Sequence, residues 1–133
     1  MRIVPGSTAD NLVFELSDRG NTQGVNVREA LMYTCEQVRN RGPEGFAPLV
    51  PVWWVMNDPP GNRLATGARI RYGVAQEGLL QVHGTSPLAR PGCYFVSITA
   101  EDSTGYRRGG VAGLKVEADG SVREMSRRER EAI

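Results

Sequence analysis

Leu79 to Tyr106 reads LLQVHGTSPLARPGCYFVSITAEDSTGY. A short apolar run turns at Gly84-Thr85. Pro91-Gly92 then leads into a strand pattern from Gly92 to Ala100. In that run Tyr94, Val96, Ile98 and Ala100 alternate with Cys93, Phe95, Ser97 and Thr99, and strand geometry sends the two sets to opposite faces. Asp102-Ser103-Thr104-Gly105 stops it with turn chemistry. Short strands punctuated in this way predict an antiparallel β-sandwich, with the Tyr94 set facing the core.

The pattern extends in both directions. Asn11–Ser17 places Leu12, Phe14 and Leu16 on one face and predicts a strand. Leu49–Met56 is apolar on both faces, and Pro51 argues against a fully paired central position there. Ala68–Val74, Leu79–Val82 and Gly109–Glu117 follow as strands, and Ala118-Asp119-Gly120 predicts a hairpin turn into Val122. Turns are expected at Asp18-Arg19-Gly20-Asn21 and at Asn57–Asn62 (NDPPGN). One helix is expected, over about Val27–Arg41. Asn26 and Glu29 have capping-box spacing, Val27, Leu31, Thr34, Cys35 and Val38 form a stripe, and Gly42-Pro43 ends it. The expected fold is therefore mostly β, an Ig-like antiparallel β-sandwich decorated with one N-terminal α-helix at about 27–41. It forms a single domain over 1–125, followed by a frayed charged tail over 126–133.

Composition narrows the function classes. The chain has 133 residues and a net charge of +1, enough for one domain with a core and no general reason for nucleic-acid or membrane-surface binding. No apolar run approaches the roughly 20 residues that a membrane helix needs. MRIVPGSTAD has no apolar signal segment, so a cytoplasmic or virion-associated setting is expected. Cys35 and Cys93 are then expected as reduced, buried thiols. Of the 16 basic residues only Lys115 is a lysine, which leaves little scope for lysine chemistry.

From Arg69 to Glu117 the order of signals resembles the bacterial Ig-like and cadherin-like domains. The residues that carry the resemblance are Gly84, Thr85, Pro87, Pro91, Gly92, Tyr94, Val96, Ile98, Ala100, Asp102, Ser103 and Gly105. It covers a little over a third of the chain, and the helix departs from the family pattern. The resemblance implies a spacer or binding module, and it assigns Tyr94, Val96, Ile98 and Ala100 to the core. Cys93 and Phe95 then lie on a face that should be wet. An apolar outer face needs a cover, and the Val27–Val38 helix or another subunit would supply it.

Candidate chemistry is sparse. His83 is the only histidine, and any acid–base mechanism would run through it; a structural histidine at a strand end is the stronger reading. One histidine and two separated cysteines give no zinc spacing. The chain lacks dense acidic calcium motifs, although Asn57 and Asp58 could offer oxygen ligands. Tyr106, Arg107 and Arg108 place an aromatic ring and two guanidiniums on a Gly-flanked tip suited to anionic or planar ligands. A solvated loop is the plainer reading. Trp53 and Trp54 point opposite ways in a strand, so one fills the core and the other meets a cover, a partner or a ligand.

The function expected is a non-enzymatic structural or interaction module in a larger assembly, such as a virion or surface structure, with a protein partner or self-association. The candidate contact residues are Trp53, Trp54, Asn57, Asp58, Tyr106, Arg107 and Arg108. No cofactor, metal or membrane span is expected. The alternatives are a small cytosolic binder of an anionic molecule or protein partner, and an enzyme using His83.

Overall fold

The computed structural model describes residues 1–16, 25–59, 69–83, 86–102, 105 and 107–133, with the side chains of Asp102, Arg107 and Arg108 excepted. The turns expected at Asp18–Asn21 and Gly84-Thr85, Pro60–Asn62 of the expected Asn57–Asn62 turn, Ser103-Thr104 of the expected Asp102–Gly105 turn, and Tyr106 lie outside them. The strands are β1 (Arg2–Ile3), β2 (Val13–Glu15), β3 (Val25–Thr34), β4 (Trp53–Asn57), β5 (Arg69–Arg71), β6 (Leu79–His83), β7 (Gly92–Asp102), β8 (Arg107–Val116) and β9 (Val122–Glu124). Two short helices, α1 (Cys35–Arg39) and α2 (Arg127–Glu131), complete the described elements. The strands form two antiparallel sheets, a small one ordered β1-β2-β5 and a large one ordered β6-β4-β3-β7-β8-β9.

The two sheets share one core cluster. The large sheet contributes Val27, Ala30, Met32, Trp53, Val55, Tyr94, Val96, Ile98, Ala112, Leu114 and Val116, and the small sheet contributes Phe14 and Ile70. Phe14 and Trp53 stack with ring centroids 6.1 Å apart, and Tyr72 meets the Trp53 ring edge-on at 5.4 Å. Such aromatic pairs add about 0.5–1.5 kcal/mol beyond the area they bury. The Trp53 Nε1 has no hydrogen-bond partner among the described residues, so the indole is held by packing. Tyr94, Val96, Ile98 and Ala100 are buried, whereas Cys93, Phe95, Ser97 and Thr99 are half-buried. The alternation of β7 therefore assigns its faces as expected.

The helix expected over Val27–Arg41 is not there. Val25–Thr34 forms β3, paired to β4 on one side and β7 on the other, and only Cys35–Arg39 is helical. A bulge explains the misreading. The β3–β7 register slips between Val27 and Glu29, so the inward residues run Val25, Val27, Ala30, Met32. The step of three at the bulge turns strand alternation into a spacing that imitates a helical stripe. Two full ladders of pairing then outweigh the local preference. Asn26 and Glu29 are not a capping box. The cap is Thr34, whose Oγ1 accepts from Gln37 N at 3.1 Å while Gln37 Oε1 accepts from Thr34 N at 2.9 Å.

The thiols expected to be reduced are joined. Cys35 and Cys93 form a disulfide with their Cα atoms 5.4 Å apart. Thr34 sits opposite Tyr94 in the β3–β7 ladder, which brings Cys35, the first residue of α1, beside Cys93. Partners 58 residues apart meet only because those two strands pair.

The hairpin expected at Ala118-Asp119-Gly120 joins β8 to β9, with Val116 opposite Val122. Gly120 takes φ +90°, a left-handed conformation open to glycine without a Cβ clash. Asp119 Oδ1 accepts from Ser121 N and Oγ at 2.9 and 2.6 Å. The segment from Ser126, read from sequence as a frayed tail, carries α2. Ser126 and Glu129 form a capping box, and Arg123 holds both Glu129 oxygens at 2.8 and 2.9 Å. That guanidinium keeps the Glu129 carboxyl well below the usual carboxylate range. No helix among the described residues is long and apolar enough to cross a membrane.

Candidate functional site

The site is built on the outer face of the large sheet, where the bulged register of β3 sends Glu29, Leu31 and Tyr33 away from the core. Strand pairing sets Trp54, Leu31, Ser97 and Val111 in one row across β4, β3, β7 and β8. A second row carries Tyr33, Phe95 and Gly113. Neighbouring strands lie about 5 Å apart, so the two rows make a contiguous apolar surface.

Two local structures cover parts of it. At one end Met125 and Arg130 lie directly over Gly113, where a Cβ would collide with the Met125 methyl group and approach Arg130 Cγ to 3.0 Å. Glycine at 113 is what lets that end close. The Met125 sulfur also lies 3.9 Å from Cys93 Sγ. With Cys93 in a disulfide, this is a sulfur–sulfur contact and not a hydrogen bond. On the other side α1 and the following turn bring Phe46 against Tyr33, ring centroids 4.9 Å apart. Arg41 caps Phe46, with its guanidinium carbon 5.3 Å from the ring centroid and Nη1 donating to the Val38 carbonyl.

Between these covers a hollow of about 340 Å³ remains open, lined by Leu31, Tyr33, Val38, Arg41, Phe46, Phe95, Val96, Ser97 and Val111. Its wall is almost wholly apolar. Val111 is 59% exposed and Phe46 42%. The apolar surface continues across β4 and β6 through Trp54, Met56 and Leu80. Trp54 is tied by Nε1 to Glu29 Oε2 at 3.0 Å. Burial pushes the Tyr33 phenol pKa up, with Glu29 adding to the effect.

A larger hollow of about 430 Å³ lies on the small sheet, lined by turn residues and by Arg69, Arg71 and Gln76. Its polar groups are largely committed: Arg69 pairs with Glu15 at 3.6 Å, and Gln76 Oε1 accepts from Arg71 N at 3.2 Å. The smaller hollow is the better candidate because its surface is apolar and left unsatisfied by water.

The residues expected from sequence do not form one site. Trp53 is 1% exposed and belongs to the core, whereas Trp54 is on the outer face. Asn57 ends β4, and Asp58 is exposed beside it, its N–H donating to Gly78 O at 2.9 Å. Arg107 and Arg108 open β8 opposite Glu101 and Ala100; only their backbone is described, and Tyr106 lies outside the described residues. The Asn57 and Arg107 ends share one end of the sheet but stand three strand spacings apart, about 14 Å. His83 is exposed at the end of β6, opposite Trp54. No cluster of His, Cys, Asp or Glu among the described residues is arranged to hold a metal.

Sequence reading missed Leu31, Tyr33, Val38, Arg41 and Phe46, because four were placed in the helix and Phe46 in a connector. One signal was present: a phenylalanine inside the Gly- and Pro-rich run Gly42–Pro48, where no core demands it. Neither a family model nor a curated protein nor a solved structure matches the chain, so what the site does rests on its own geometry.

Proposed function

We propose that the protein is a non-enzymatic interaction module, an Ig-like sandwich that docks a protein partner on the outer face of its large sheet. The single observation that carries this reading is the uncovered apolar hollow around Leu31, Phe95 and Val111, beside an exposed Phe46. Aromatic and aliphatic side chains held on a rigid sheet and left in water match the anchor regions of protein interfaces. The finer sandwich assignment is supported by two antiparallel sheets that share one core. The Cys35–Cys93 bond supports a virion or other oxidising setting over the reducing cytoplasm.

The test compares wild type with Val111→Asp, a change at an exposed position that puts a charge at the hollow. Both are immobilised and exposed to extract of the native source, and retained proteins are identified by mass spectrometry. A partner held by wild type and lost with Val111→Asp is expected. The same retained set on both proteins sinks the reading.

A further inference from the structure

We infer that the partner presents an apolar side chain next to a carboxylate, with the apolar group filling the outer-face hollow and the carboxylate meeting Arg41; this rests on the docking reading above. The hollow's volume, about 340 Å³, is at the lower end of the roughly 300–1,000 Å³ of ligand cavities. That suits one large side chain rather than an extended ligand. The side chains of Leu31, Phe95 and Val111 on its floor offer little to a polar group, so polarity in the bound element belongs at the rim. Among the described residues Arg41 is the one charged residue of the lining.

Its guanidinium is prepared for an anion. The Phe46 ring and the Val38 carbonyl hold it in place, which lowers the entropy lost on binding. No carboxylate among the described residues forms an ion pair with it, whereas Glu29 is engaged by Trp54 and Glu101 by Arg28 at 3.5 Å. Glu44 Oε2 lies by Gly42, 3.3 Å from where a Cβ there would be, but among the described residues it makes no ion pair with Arg41; the guanidinium is left to pair with a partner's carboxylate. An amide oxygen in the same place would accept only a hydrogen bond without charge neutralisation, and a basic residue would be repelled.

The test uses two small probes of one shape, 3-phenylpropionate and 3-phenylpropionamide, titrated into the full-length, disulfide-intact protein and followed by amide chemical shifts. Both should perturb Leu31, Phe95 and Val111, with the carboxylate binding about fivefold more tightly. Arg41→Gln should remove that preference while both probes still perturb Leu31, Phe95 and Val111, with the thermal melt confirming that the variant is folded. Equal binding of the two probes to wild type, or a preference that survives Arg41→Gln, would overturn the acidic partner while leaving the hollow as a docking site. Failure of both probes to shift the three residues would overturn the inference together with the docking reading.

Discussion

The two faces of the large sheet are built from similar side chains and end differently. The inner face closes: Val27, Ala30, Met32, Val96 and Leu114 are at most 0% exposed, and Trp53 is stacked on Phe14 of the small sheet. The outer face carries Leu31, Tyr33, Phe95 and Val111 in the same four-strand span. Among the described residues it receives α1 with Phe46 on one side and α2 with Met125 on the other. The difference is not composition but the presence of a second layer. An apolar side chain contributes to stability in proportion to the area removed from water, so the inner set contributes more to holding the fold than the outer set.

The sharpest way to break this contrast is to truncate one residue on the closed face. Trp53→Ala should lose about 3–5 kcal/mol, read by chemical denaturation. A loss near that at the open face would mean that the faces are equivalent. Next in size is the disulfide, which ties β7 to the start of α1 and so anchors part of the outer cover. Reduction, or replacement of both cysteines by alanine, should lower stability by about 2–4 kcal/mol. It should also loosen amide protection at α1 and Phe46 before that of β7.

A smaller effect belongs to Tyr72, at the margin of the closed core. Its hydroxyl donates to Ser86 O at 2.7 Å, and burial, with Tyr94 adding, pushes its pKa up to about 12. The unfolded chain loses this proton near the ordinary value of 10, while the folded chain still holds it. Its stabilising contribution is therefore complete below pH 10 and is lost as pH rises through 12. A phenolate-absorbance titration should show one tyrosine titrating near pH 12 in the folded protein, and Tyr72→Phe should remove that step. The smallest stability change is expected at the open face. Val111→Asp should alter stability by no more than about 0.5 kcal/mol by the same denaturation assay, while abolishing partner retention.

Much of the fold was legible because it is written in period two. The alternation in β7, the Leu12, Phe14 and Leu16 face and the Gly120 hairpin each depend on neighbours within a few residues. Leu12, Phe14 and Leu16 are all buried. Position 51 was legible too: β4 begins at Trp53, after Pro51. The failure at Val25–Thr34 had a different origin. A bulge opposite β7 made a strand read as a helix, and a bulge exists only relative to its partner strand. Both true capping boxes, Thr34 with Gln37 and Ser126 with Glu129, carry the expected spacing. They were passed over in favour of Asn26 with Glu29, since spacing alone does not tell a cap from an interior of a strand.

By itself the sequence determined that the protein is mostly β, which residues of β7 face the core, and that Cys93 and Phe95 would present apolar surface where water was expected. These are consequences of side-chain alternation, a property of the chain within one strand. Only the tertiary structure decided that Cys35 is beside Cys93, that Trp53 is the core tryptophan, and that Leu31, Arg41, Phe46 and Val111 meet around one hollow. Those residues come from segments far apart in the chain, and their meeting depends on strand order and register, which non-local hydrogen bonding sets.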